Sequence, residues 1–208
     1  MTGYLYWSDI GRKNKIERST LAGEGRTVLL DENSFGLIGR PTALTIDHQD
    51  NILYWLDNSD SYIVSFDLND ERAYPRDLKQ VVTSGDLFSF DIDPEFGFFV
   101  TDRQDNNLHI VPLDLRKATQ TIFWQHEVPH GIIFHSDINQ PKESALCEGA
   151  GCDQLCASDP AGYRCFCTYG YQLNNDEKTY EPGNRFIIID YITVFFQLKK
   201  SEELPTLR

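Results

Sequence analysis

The 208-residue chain is 40% hydrophobic and 12% aromatic, enough for a packed core, which excludes wholesale disorder and allows one or two domains. Its 32 acidic and 19 basic side chains leave a formal charge of −13, which disfavours nucleic acid and anionic lipid and favours partners with basic surfaces. All five cysteines lie between Cys147 and Cys167. Such clustering marks a small disulfide-stapled unit in an oxidising compartment.

Met1-Thr2-Gly3-Tyr4-Leu5-Tyr6-Trp7 lacks the basic and apolar regions of a secretory leader. With the cysteines, this leads to the expectation that the chain is an internal piece of a longer secreted or membrane-anchored protein. Three segments then align: Tyr6-Trp7-Ser8-Asp9, Tyr54-Trp55-Leu56-Asp57 and Phe99-Val100-Thr101-Asp102. Their aspartates stand 48 and 45 residues apart. Each is followed by a polar turn, an apolar pair (Ile16 and Leu21, Ile63 and Leu68, Leu108 and Leu113) and a further strand. Those strands are expected at Thr27–Leu30, Gln80–Val82 and Gln120–Phe123. Leading strands are expected at Ala43–Asp47 and Phe88–Asp93, with turns at Asp50-Asn51 and Glu95-Phe96-Gly97.

Four short strands in about 45 residues is the period of a β-propeller blade, and no segment shows sustained helical periodicity. Adjacent Tyr and Trp point to opposite sheet faces, so neighbouring blades pack on both. The strand-end aspartates are suited to accept backbone N–H groups from the adjacent turn. Tyr6, Trp7, Asp9, Tyr54, Trp55, Asp57, Thr101 and Asp102 are therefore read as structural. The run Phe186–Leu198, interrupted by Asp190, is shorter than the roughly 20 residues of a membrane span and favours β-strand.

No nucleophile elbow, phosphate-binding glycine loop or His-Glu-x-x-His motif is present. His48, His109, His126, His130 and His135 do not share zinc-ligand spacing with the cysteines. No catalytic, cofactor or metal residue is expected, and the protein does not read as an enzyme.

The Tyr-Trp-x-Asp repeat resembles that of the six-bladed propellers of low-density lipoprotein receptors and their relatives. The third copy departs from it at Phe99-Val100. His130-Gly131-Ile132-Ile133-Phe134-His135 with Gln140-Pro141 is similar to the family's last propeller strand and exit. The next segment, Cys-x4-Cys-x3-Cys-x8-Cys-x-Cys with Gly162-Tyr163 and Tyr169-Gly170-Tyr171, resembles an EGF-like module. That resemblance implies the pairs Cys147–Cys156 and Cys152–Cys165 and leaves Cys167 unpaired, because Tyr180 occupies the sixth cysteine position. Cys167 is then either a free thiol or the remnant of a lost bridge, and the stretch from Cys167 to Tyr180 is expected to be the loosest of the module. Glu143 alone before Cys147, and Ser158 where an acid or amide is needed, do not support a calcium site.

The resulting expectation is an all-β protein. Residues 1–141 form a partial propeller of about three blades, 145–181 an EGF-like module, and 185–208 the first strands of a following propeller or an amphipathic tail. A closed ring of six such units needs about 270 residues, so an open arc with exposed apolar ends and a tendency to self-associate is expected. By resemblance, the chain belongs to the cell-surface ectodomain of a single-pass endocytic receptor. Such a module binds or releases protein ligands of lipoprotein or growth-factor type, with His126, His130 and His135 as pH-switch candidates. The alternative is a Wnt co-receptor-like or nidogen-like matrix module that binds partners through its propeller face.

Overall fold

The computed structural model describes residues 3–33, 38–70, 72–82, 85–123, 128–134, 147–159, 162–168 and 170–183. Among these every regular element is a β-strand, and all pairings are antiparallel. The first sheet has three strands, β1 (Tyr4–Ile10), β2 (Asn14–Thr20) and β3 (Thr27–Asp31), in that order. The second has four: β4 (Pro41–Asp47), β5 (Ile52–Asp57), β6 (Tyr62–Asp67) and β7 (Arg76–Gln80). The third repeats this with β8 (Leu87–Asp93), β9 (Gly97–Asp102), β10 (Asn107–Val111) and β11 (Gln120–Phe123). Two hairpins follow, β12 (Leu155–Asp159) with β13 (Gly162–Phe166), and β14 (Tyr171–Leu173) with β15 (Tyr180–Pro182).

Local chemistry explains the strand ends. Asp47 Oδ1 accepts the N–H groups of Gln49 and Asp50, and Asp93 Oδ1 those of Glu95 and Phe96. These aspartate-nucleated turns stop β4 and β8 at the same point of the repeat. At Gly97 the backbone has φ 121° and a Cβ would lie 2.2 Å from the Val111 carbonyl oxygen, so only glycine fits where β9 begins.

Packing follows from the twofold alternation of side chains along a strand. Trp55, fully buried, joins Ile16, Leu30, Leu53, Val64 and Phe66 in the core between the first and second sheets. Its neighbour Tyr54 points the other way, into the core shared with Phe90, Phe98, Val100 and Val111 of the third. The Tyr54 ring meets Phe98 edge-on at 4.9 Å. Burial and the nearby charges of Asp47 and Asp50 push the Tyr54 hydroxyl up to about 12. In the third sheet Val100 fills the tryptophan position and Phe99 the tyrosine position, where Phe99 stacks on Phe134 at 5.6 Å. Three sheets joined face to face by alternate sides of one strand make this a partial β-propeller, followed by a small disulfide-rich module.

Two elements depart from expectation. The segment expected as the last propeller strand belongs to no strand in its described part, residues 130–134. The outer strand of the second sheet is Arg76–Gln80 and not Gln80–Val82. Val81 has left the ladder, donates its N–H to the Ser61 carbonyl at 2.8 Å and packs in the core against the third sheet. The apolar pair that suggested a strand serves instead to fill the space between sheets.

Glu17, on β2, is buried and held by Arg26 through both carboxylate oxygens, at 3.1 and 2.7 Å, with Lys15 at 3.3 Å. Burial alone would raise its pKa, but the hydrogen bonds and charges of Arg26 and Lys15 together outweigh this and hold it below the ordinary 4.5. A depressed carboxylate stabilises the fold above its unfolded pKa, and the gain is lost as pH falls through the folded value. Glu17→Gln is therefore expected to lower stability at neutral pH, with the gap to the native chain closing well below pH 4.5; urea titrations at the two pH values measure this. In a second test, Gly39→Ala should destabilise by about 1–3 kcal/mol, since its Cβ would lie 2.4 Å from both Asp57 Oδ1 and Ser59 Oγ. Gly131→Ala, with nothing within 4 Å, should be near neutral in the same titration.

Candidate functional site

The strand-end aspartates build one rim of the arc. Asp57 accepts the N–H of Ser59 in its own turn at 3.0 Å, and also the N–H groups of Gly39 and Arg40 at 2.7 and 2.9 Å. Asp102 does the same for Gln104 at 2.9 Å and Asp86 at 3.0 Å. Each thus holds the loop that enters its sheet as well as the turn that leaves the motif strand. Among the described residues Asp9 accepts Gly11 N–H alone, at 3.0 Å, and pairs with Lys15 at 3.4 Å. Sequence reasoning identified the turn contact and missed the entering loop, which becomes a neighbour only when Pro41 pairs with Asp57 and Leu87 with Asp102. Thr101, also in the motif, is buried, and its hydroxyl bridges to the Ser89 backbone.

On this rim the second and third sheets are tied through Asn58, whose amide reaches Asp86 Oδ1 at 3.5 Å and whose carbonyl oxygen accepts Leu87 N–H at 3.3 Å. Asp86 in turn anchors Arg103, whose Nε and Nη2 donate to its Oδ2 at 3.0 and 2.7 Å. The guanidinium lies over the Phe88 ring at 4.0 Å, and His130 stands edge-on to the same ring at 6.3 Å. Phe88 is 40% exposed, and among the described residues Arg103 Nη1 has no partner. The cation is thus fixed over an exposed aromatic ring with its Nε–Nη2 edge occupied by Asp86, which leaves Nη1 as a donor and the ring edge as apolar surface.

Of the histidines singled out, His130 is exposed beside Phe88, while His126 and His135 lie outside the described residues. Two that were not singled out are more enclosed. His48 borders a cavity of about 320 Å³ lined by β1, β4, Leu53, Asp91 and the 133–134 segment, and burial lowers its pKa despite the charges of Asp47 and Asp91. His109 is buried, with Nδ1 at 3.0 Å from Thr121 Oγ1 and Nε2 at 3.7 Å from Asp102 Oδ2. Its alternate position to Asn107 on the inward face of β10 was the available signal. The described residues contain no group of three or more His, Cys, Asp or Glu side chains placed to hold a metal ion.

In the terminal module Cys147 is bonded to Cys156 and Cys152 to Cys165, and Cys167 is free. The stretch beyond Cys167 contains the β14–β15 hairpin, with Tyr180 edge-on to Tyr171 at 5.0 Å. Asp176 closes its turn by accepting Lys178 and Thr179 N–H at 2.9 Å each and the Thr179 hydroxyl at 2.7 Å. The tyrosine at the sixth cysteine position therefore contributes a ring contact within an internally bonded hairpin. Arg164 of β13 reaches Glu24, in the β2–β3 turn, at 2.7 Å.

An all-β chain of repeated four-strand sheets with such a module defines a propeller protein of the Tyr-Trp-x-Asp class. Residues 3–48 match the low-density lipoprotein receptor repeat class B. Over 180 residues the chain is 25% identical to the vitellogenin receptor of Solenopsis invicta, covering 85% of this chain and 10% of that one. Over 190 residues it is 28% identical to human low-density lipoprotein receptor-related protein 5, covering 86% and 10%. The chain thus spans about a tenth of the length of these relatives. Among solved structures it is similar to a chain of a nidogen/laminin complex, with TM-score 0.51 and 25% identity over 62% of this chain and 46% of that chain. The chain is thus similar over most of its length to a low-density lipoprotein receptor-related protein, and its residues 3–48 match the class B repeat.

Burial pushes the Cys167 thiol up from its ordinary pKa, so little of the reactive thiolate forms at neutral pH. Disulfide-exchange labelling of the native chain should therefore be slow at pH 7 and accelerate several-fold per pH unit through the alkaline range, with one thiol labelled. Rapid labelling at neutral pH would contradict this.

Proposed function

We propose that this chain is a non-catalytic, extracellular protein-binding module, and that partners dock on the rim bearing Phe88, Arg103 and His130. The Arg103–Phe88 stack carries this reading, because its orientation is fixed by Asp86 while the ring remains accessible. The net charge of −13 adds a long-range preference for partners with basic surfaces, which steers encounter more than it sets affinity. The units carrying this function are residues 1–141 as propeller and 145–181 as EGF-like module, with 185–208 as the first strands of a further propeller. Likeness to a vitellogenin receptor and to a receptor-related protein supports a ligand-binding and ligand-releasing ectodomain of a single-pass endocytic receptor. The nidogen/laminin neighbour supports a second reading, a matrix interaction module.

Surface binding assays with the whole chain, using vitellogenin and laminin as probes, separate the two readings. Phe88→Ala and Arg103→Ala should each weaken binding of the preferred probe about tenfold. Phe96→Ala, an exposed aromatic in the β8–β9 turn at the opposite end of the sheet, should leave it unchanged. Equal losses at Phe96 and Phe88, or binding of neither probe, would reject the rim as the docking site.

A further inference from the structure

We propose that Asp102, Asn107 and His109 hold one buried water molecule just beneath the rim. The water fixes His109 in the tautomer with its proton on Nε2. Among the described residues four buried side-chain polar atoms have no hydrogen-bond partner, and three of the four are Asp102 Oδ2, Asn107 Oδ1 and His109 Nε2. The fourth, Trp55 Nε1, lies in the other core. Asn107 is the register partner of Asp102, and His109 follows two residues later, so the three side chains share one face of the β9–β10 ladder. The residues are 0%, 7% and 4% exposed, so bulk solvent does not serve these atoms.

The other two motif aspartates show what the third requires. In all three sheets Oδ1 accepts the N–H of the exit turn, from Gly11, Ser59 and Gln104. The second oxygen differs. Asp9 Oδ2 pairs with Lys15 Nζ at 3.4 Å, and Asp57 Oδ2 accepts Gly39 N–H at 2.7 Å. In the third sheet Asp86 N–H goes to Oδ1, as Arg40 N–H does in the second. Asp102 Oδ2 stands 3.7 Å from His109 Nε2, too far for a direct hydrogen bond. Gly85 keeps carbon away from this oxygen, since a Cβ there would lie 2.5 Å from it. The neighbours change in step: the positions of Tyr62 and Val64 in the second sheet are those of Asn107 and His109 in the third.

The set of donors and acceptors selects the occupant. Two oxygens each need a proton, and one ring nitrogen can give one. A water molecule donates to Asp102 Oδ2 and Asn107 Oδ1 and accepts from His109 Nε2–H, and about three partners is usual for a buried water. A hard cation wants about six oxygens or more, and the softer metals that imidazole suits do not favour a carboxamide oxygen. With the proton on Nε2, Nδ1 is bare and accepts the Thr121 hydroxyl at 3.0 Å. The water completes the hydrogen bonding of the carboxylate that holds Asp86 N–H. His109 is then a positioning residue for the rim, acting through Asp102.

Long-range proton–nitrogen correlation spectra of the isotope-labelled 208-residue chain test this at mildly alkaline pH, with the His109 ring assigned through its own backbone. The expected result is a proton on Nε2 and none on Nδ1. That proton should show a cross-relaxation peak at the water frequency, with the sign of a contact that outlasts molecular tumbling. Asn107→Leu keeps Asp102 and His109 but removes one acceptor, so the peak should weaken several-fold while the chain stays folded. Where Asn107→Leu does not fold, the native-chain spectra decide by themselves. A bare Nε2 with a proton on Nδ1 would mean a cation or the opposite tautomer. Protons on both nitrogens would mean an ion pair, and an Nε2 proton without a water peak a direct bond to Asp102. Each of these, or an undiminished peak in folded Asn107→Leu, would overturn the proposal.

Discussion

Everything in this molecule rests on two large side chains leaving one strand in opposite directions. In β5, Trp55 enters the core on one face and Tyr54 the core on the other. A single strand thereby joins three sheets, and the burial of each of its aromatic rings requires a neighbour on that side. A sandwich would satisfy one face only; a radial array satisfies both.

Aspartates determine where the array is rigid. A carboxylate at the end of the motif strand holds the entering loop and the exit turn together, so the rim is built from backbone groups whose positions are fixed by buried acceptors. Asp57 and Asp102 are buried in that role, whereas Asp9 is partly exposed and pairs with Lys15. The proposed docking rim around Phe88 stands on this frame: Asp86 donates its own N–H to Asp102 and with its side chain orients Arg103. A structural hydrogen bond and the feature proposed for docking therefore meet in one residue.

The module at the trailing end is held differently. It has little apolar core, and two disulfides with a dense set of turn hydrogen bonds replace one. Its contact with the first sheet through Arg164 and Glu24 joins residues 140 apart in sequence. An exposed pair of this kind stabilises weakly, so it specifies an orientation more than it adds to stability.

Periodicity made the sheets, the motif and the disulfide-rich unit readable from the sequence, because strand alternation and turn chemistry act over a few residues. Tyr54 and Trp55 declared two buried faces, and Asp57 and Asp102 declared a turn. The sequence could not show which side of each sheet met which neighbour, that Gly39 and Asp86 would lie against strand-end carboxylates, or that Val81 would leave its strand to fill a core. Nor did it single out Phe88 and Arg103, which are separated by a turn and a strand and meet only when β8 pairs with β9. Those features depend on register and on contacts between distant segments, and only the assembled sheets determine them.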